Sequence, residues 1–178
     1  MKVSVPNILT GIRLCLVPVF PFVYMSNIQN AHIYASVIFI LAMMLDVLDG
    51  FIARKFNMIT KFGKVFDPLA DKFMVMSVII TLAFTGRIIS WFLCFVLVKE
   101  VGMIIAGIFL YEKEDIVIPS NIFGKFATFA MFFFLLVAMY SDIDLTFYSF
   151  AMVVIMLCAL ITYMIELFKE RNKSRSDS

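Results

Sequence analysis

Six apolar stretches dominate the chain, at about 8–25, 33–54, 65–85, 88–111, 121–140 and 146–168, each separated from the next by a short polar joint. A helix that crosses a bilayer needs about 20 mostly apolar residues, and each stretch approaches or exceeds that length. The pattern therefore predicts an all-α integral membrane protein of six transmembrane helices, with residues 1–178 forming a single domain. Within it, 1–7 reads as an interfacial segment and 169–178 as a polar, frayed tail. The first stretch is the shortest. Pro6 and Asn7 precede it, Thr10 is a candidate helix start, and Pro18 and Pro21 are potential kinks inside it. It is not read as a removable signal, because Arg13 interrupts its apolar run and no small-residue cleavage pattern follows.

Composition supports a membrane protein. Hydrophobic residues make up 63% of the chain and charged residues 16%, against about 45–50% apolar in soluble domains. A soluble domain of this length would still expose about a third of its unfolded surface, so some of the 21 Phe and 13 Met must face lipid. Cys15, Cys94 and Cys158 each lie in an apolar run without metal-ligand or pairing spacing, and read as small apolar residues.

Charge sets an orientation. With the N-terminus cytoplasmic, that side carries Lys2, Arg54, Lys55, Lys61, Lys64, Lys113, Lys169, Arg171, Lys173 and Arg175, while the other side carries only Arg87 beside Asp142 and Asp144. The positive-inside rule then predicts both termini in the cytoplasm. His32 falls at the far face and reads as an interfacial residue; Trp91 and Tyr140 fit an aromatic belt, and the run 132–134 reads as apolar packing.

One stretch breaks the apolar pattern. Asp46, Asp49, Gly50 and Ala53 are spaced i, i+3, i+4, i+7, one stripe on a helix; Gly63, Asp67 and Asp71, at i, i+4, i+8, form a second stripe on the next. The short joint makes the two helices antiparallel, so both stripes can meet at the cytoplasmic end. Pro68 allows two arrangements: Asp67 caps the helix with Pro68 at its first position, or the helix begins earlier.

Four converging carboxylates repel one another and are costly near lipid unless cations compensate. Arg54 and Lys72 alone cannot neutralise them. An all-oxygen donor set without His or Cys favours Mg2+ or Mn2+. Two such ions, about 3.5–4 Å apart, would clamp a diphosphate and leave one carboxylate to take a proton. Gly50 leaves room for a ligand to approach the backbone. Two other readings are a divalent-cation transporter and an inactive dimerising scaffold. The first is disfavoured because transport sites lie near the bilayer midplane, the second because no carboxylate of the cluster is missing.

The spacing D-x-x-D-G-x-x-A-R-x8-G-x3-D-x3-D is met by Asp46, Asp49, Gly50, Ala53, Arg54, Gly63, Asp67 and Asp71, and this resembles the signature of the CDP-alcohol phosphotransferase family. The resemblance implies a homodimer of six-helix subunits in the cell membrane, its active site facing the cytoplasm. It also implies a reaction in which an alcohol attacks the β-phosphorus of a CDP-linked donor, usually CDP-diacylglycerol, and CMP leaves. By the same resemblance Asp46, Asp49, Asp67 and Asp71 hold the metals and Asp71 is the candidate base. Asn7, Thr10, Asp49, Gly50, Ala53, Arg54, Gly63 and Asp67 are the implied nucleotide-binding set.

Pro6, Asn7, Thr10, Arg13 and Pro18 match P-N-x-x-T-x-x-R-x4-P, which is similar to the phosphatidylglycerophosphate synthase branch, with glycerol 3-phosphate as acceptor. Further along, that branch often carries Arg-Glu and G-K-x-K-T, where this chain has Lys99-Glu100 and Gly124-Lys125-Phe126-Ala127-Thr128. Ala127 removes a cation, which keeps a cardiolipin synthase, with phosphatidylglycerol as acceptor, as the alternative. Arg13, Lys99 and Lys125 are the candidate ligands of an acceptor phosphate, since a cation inside a span costs at least about 2.5 kcal/mol and normally has a partner or a job. For Lys99 the expected partner lies on another helix, because neighbours i and i+1 do not face each other.

Overall fold

Every apolar stretch forms one α-helix in the computed structural model, which describes residues 5–55, 61–114, 122–141 and 143–176. For 5–7, 53–54, 61–69, 71, 104–114 and 167–176 the helical backbone alone is described. The helices are α1 (Val5–Tyr24), α2 (Ala31–Lys55), α3 (Lys61–Phe84), α4 (Ser90–Glu114), α5 (Ile122–Tyr140) and α6 (Thr146–Ser176). Several outrun the apolar stretches that predict them, because the flanking Lys, Glu and Arg are good helix formers that hydropathy ignores. The tail is the largest difference: expected to fray from 169, it continues α6 to Ser176. Helix α3 begins at Lys61, so of the two arrangements around Pro68 the earlier start is the observed one.

Three stretches among the described residues are long and apolar enough to cross a membrane: Ala31–Ile52, Ile122–Tyr140 and Thr146–Glu166. Ile8–Tyr24 and Lys72–Phe84 are shorter apolar helices. Cys15, Cys94 and Cys158 are free and exposed, in keeping with small apolar side chains on the outside of apolar helices.

Two compact units divide the chain, Met1–Gly86 and Arg87–Ser178. In the first, α1 packs against both α2 and α3. Thr10, Arg13 and Phe20 are buried on α1, and on α2 Ala35, Phe39, Ala42 and Asp49 are buried in steps of three, four or seven, with Ser36 beside them. The two helices run antiparallel, since Phe20 meets Phe39 with ring centroids 6.5 Å apart while Arg13 meets Asp46 and Asp49 farther along. Ala35 and Ala42 let the backbones approach around those rings. Among the described side chains of α3, Ala70, Met74, Val78, Ile79, Thr81 and Leu82 are buried.

Pro18 and Pro21 lie inside α1, which is assigned as one helix through both. Proline carries no N–H, so Pro21 leaves the carbonyl of Val17, four residues earlier, without its helical donor. Ser77 of α3 supplies one: its hydroxyl donates to the Val17 carbonyl at 2.8 Å. A side chain on a neighbouring helix thus repairs the bond that proline removes, as apolar surroundings require. Thr81 and Thr85 return their own hydroxyls to carbonyls one turn back. Two left-handed residues flank helices of this unit, Asn30 (φ 60°) before α2 and Gly86 (φ 73°) after α3. Asparagine and glycine are the residues that accept this conformation most readily.

In the second unit, Phe92 of α4 packs on Phe134 of α5 at 5.3 Å, and Trp91 on Phe150 of α6 at 4.7 Å between ring centroids. Arg87 donates to the carbonyl of Ser141 at the end of α5. Asp144 caps α6 by accepting from the Thr146 N–H at 2.9 Å and from its hydroxyl at 2.5 Å.

These contacts generate two expectations. Ser77→Ala leaves the Val17 carbonyl without a donor and is expected to cost about 1–3 kcal/mol in thermal or denaturant unfolding of the detergent-solubilised protein, whereas an unchanged midpoint would mean the carbonyl finds another donor. The Thr146 hydroxyl, and then its N–H, hold the Asp144 carboxyl below its ordinary value. A depressed carboxyl stabilises fully above its unfolded value and loses that stabilisation as pH falls through its folded one. Any stability gap between the protein and Asp144→Asn should therefore narrow below about pH 4; a gap independent of pH would contradict the cap.

Candidate active site

The polar cluster lies where the apolar seam between α1 and α2 ends. Along α2 the buried stripe of Ala35, Phe39 and Ala42 continues, at unchanged helical spacing, into Asp46 and Asp49. Along α1 the stripe reaches Arg13 and Thr10. Antiparallel packing brings these ends together. Arg13 Nη1 donates to Asp46 Oδ1 at 2.6 Å, and Nη2 donates to Asp49 Oδ2. The guanidinium bridges two carboxylates one helical turn apart.

Burial makes this bridge consequential. The Arg13 side chain is 0% exposed and that of Asp49 2%, while that of Asp46 is 35% exposed. An unpaired charge at such a site would be unsustainable, and the pair is tolerable because each charge answers the other through hydrogen bonds. One cation against two carboxylates leaves a formal charge of −1. Arg13 Nε is buried and has no acceptor among the described residues. Asp46 Oδ2 makes no hydrogen bond among them. Gly50, one position beyond Asp49, is half-buried and presents no side chain on that turn.

The remaining members of the eight-position pattern are placed by backbone. Ala53 and Arg54 lie in the last turn of α2, and Gly63, Asp67 and Asp71 on one face of the N-terminal half of α3. Their side chains, and that of Asn7 on α1, lie outside the described ones. Among the described residues no three His, Cys, Asp or Glu side chains converge. The donors that are described fit a hard divalent cation: two carboxylates, one with an uncommitted, partly exposed oxygen, and no nitrogen or sulfur ligand beside them.

The chain also matches a family model. The description CDP-alcohol phosphatidyltransferase fits residues 3–165. This chain belongs to the CDP-alcohol phosphatidyltransferase family. A Bacillus subtilis protein named CDP-diacylglycerol–glycerol-3-phosphate 3-phosphatidyltransferase is 30% identical over 139 residues, which is 71% of this chain and 72% of that protein. Proteins of the same name are 47% identical over 75 residues in Wigglesworthia glossinidia brevipalpis and 43% identical over 79 residues in Rickettsia felis. Those two alignments span 41% and 44% of the relatives' lengths.

The cations offered to an acceptor phosphate fare differently in this phosphatidyltransferase. Arg13 is committed to Asp46 and Asp49 and fully buried, so α1 contributes a cation to the acidic cluster beyond Arg54 and Lys72. The signal was present in the sequence, as an arginine inside an apolar run at the helical spacing of Thr10 and Phe20. Lys99 corrects an expectation: its partner is Glu100, the next residue, at 2.6 Å. Both side chains are 18% exposed, and the long flexible stems bend toward one another although their Cβ atoms diverge. Lys125 is exposed in the first turn of α5, and Ala127 is buried.

Breaking a buried pair strands its partner's charge. Asp49→Ala is expected to lower unfolding stability by about 3–5 kcal/mol, and Asp46→Ala by less because its carboxylate is partly exposed. Equal losses, measured by thermal melts of the two purified variants, would contradict this ranking.

Proposed function

We propose that this family member transfers the phosphatidyl group of CDP-diacylglycerol to glycerol 3-phosphate, giving phosphatidylglycerophosphate and CMP. The observation that carries the reading is the carboxylate pair Asp46 and Asp49, bridged by Arg13, which stands inside the full eight-position pattern. The names of the relatives add the donor and the acceptor.

Asp46, Asp49, Asp67 and Asp71 would hold the metal, read here as two Mg2+ or Mn2+ ions. When bound, such ions neutralise a diphosphate and stabilise the departing phosphate. The chain's own groups do the rest. Asn7, Thr10, Gly50, Ala53, Arg54 and Gly63 seat the nucleotide. The acceptor hydroxyl oxygen attacks the β-phosphorus, the bond from that phosphorus to the CMP oxygen breaks, and the hydroxyl proton passes to Asp71. The acceptor's own phosphate calls for a cation. With Arg13 sealed between two carboxylates, Lys99, paired with Glu100 but partly exposed, and Lys125 remain the candidates on charge.

All six helices are read as membrane spans, with both termini and the Asp46–Asp71 hairpin at the cytoplasmic face of the cell membrane and two copies forming a homodimer. The bias of Lys and Arg toward one side supports this orientation.

Purified protein supplied with CDP-diacylglycerol, Mg2+ or Mn2+ and a panel of alcohols should release CMP with glycerol 3-phosphate. CMP with phosphatidylglycerol alone would select cardiolipin synthesis, and no CMP with any alcohol would overturn the enzyme reading. Asp71→Asn should lower the rate by about 10²–10⁴-fold, the range typical of a lost general base; full activity would remove Asp71 from that role.

A further inference from the structure

The eight-position pattern has no place for Arg13, yet no described side chain is more completely enclosed. Three features define what it can do. Its two terminal nitrogens each hold one oxygen of a different carboxylate. It has no exposed edge with which to meet an anion arriving from outside. The uncommitted oxygen of the trio, Asp46 Oδ2, belongs to the carboxylate that is partly exposed.

We propose that Arg13 is a positioning residue that stands in for a cation: it holds Asp46 and Asp49 together when no divalent ion is bound and leaves Asp46 presented to an incoming one. The inference rests on the reading of Asp46 and Asp49 as metal-holding carboxylates. Two carboxylates at i and i+3 on one helix repel each other, and without a counter-ion at least one would turn away from the seam. A guanidinium has a planar fork that can bond both at fixed angles, whereas an ammonium is a point charge on a flexible stem and fixes neither direction. Arg13 therefore contributes charge and geometry together. Its bonds also limit how each carboxylate serves a metal, since Asp46 Oδ1 and Asp49 Oδ2 are already taken.

A consequence separates this role from simple packing. With Arg13 present, the α1–α2 seam is closed before metal arrives. Without it, a divalent ion becomes the cation that can keep the two acids in the seam, so the fold itself should depend on metal. The experiment is a melting curve of the purified full-length protein in detergent, without substrate, with and without saturating Mg2+ or Mn2+. The protein itself should show a modest metal-induced rise. Arg13→Gln should melt lower without metal and show a rise at least about twice as large, because binding then supplies what the guanidinium supplied. Arg13→Lys, which keeps charge but not the fork, should fall between the two and serves as the deciding variant if Arg13→Gln does not fold. Equal metal-induced rises in the protein and the variant that folds would overturn the role of Arg13. No rise in any of them would instead overturn the reading of the aspartates as metal ligands.

Discussion

A guanidinium sealed between two carboxylates at the end of an apolar seam is the interaction on which the rest of this site depends. Arg13 and Asp49 are both almost completely buried, in a chain that is 63% hydrophobic. Neither charge is sustainable there alone, so each makes the other's position possible. The register of α1 against α2 follows from the same requirement: if Phe20 and Phe39 set one end of the seam, the ion pair sets the other. A slip of one residue would send the carboxylates toward a different face and strand the arginine.

The proline-bearing first helix serves that arrangement. Pro18 and Pro21 would weaken α1 within an apolar environment, and the bond from Ser77 to the Val17 carbonyl restores one of the donors they remove. Helix α1 thus depends on α3 for a backbone partner and on α2 for a charge partner. The helix that carries Arg13 is held on two sides, which makes it a suitable platform for positioning acids on another helix.

Much of this was legible in the residues. The lengths of the apolar runs placed all six helices, and the spacing from Asp46 to Asp71 placed the acids on two successive helices. Pairing was harder to read. Lys99 finds Glu100 beside it because a long side chain can turn along the helix surface, which the angular rule for neighbouring residues does not include. Arg13 stands out in the sequence as a cation within an apolar run, but its partner depends on the register between α1 and α2, which no motif in the sequence states. Hydropathy likewise marks where lipid-compatible residues end and not where a helix ends, so the polar continuation of α6 to Ser176 escaped it.

Donor chemistry and acceptor choice accordingly rest on different footings. The family match and the buried acidic seam speak to the first, while the second turns on a few scattered cations, of which Arg13 and Lys99 already have carboxylate partners. The most direct measurement of the central claim is a double-mutant cycle between Arg13 and Asp49, using Arg13→Met, Asp49→Leu and the double variant and reading unfolding free energy. The buried ion pair predicts a coupling of about 1.5–3 kcal/mol, with the double variant more stable than the sum of the single losses allows. Additivity within about 0.5 kcal/mol would mean that Arg13 and Asp49 do not hold one another in the folded protein.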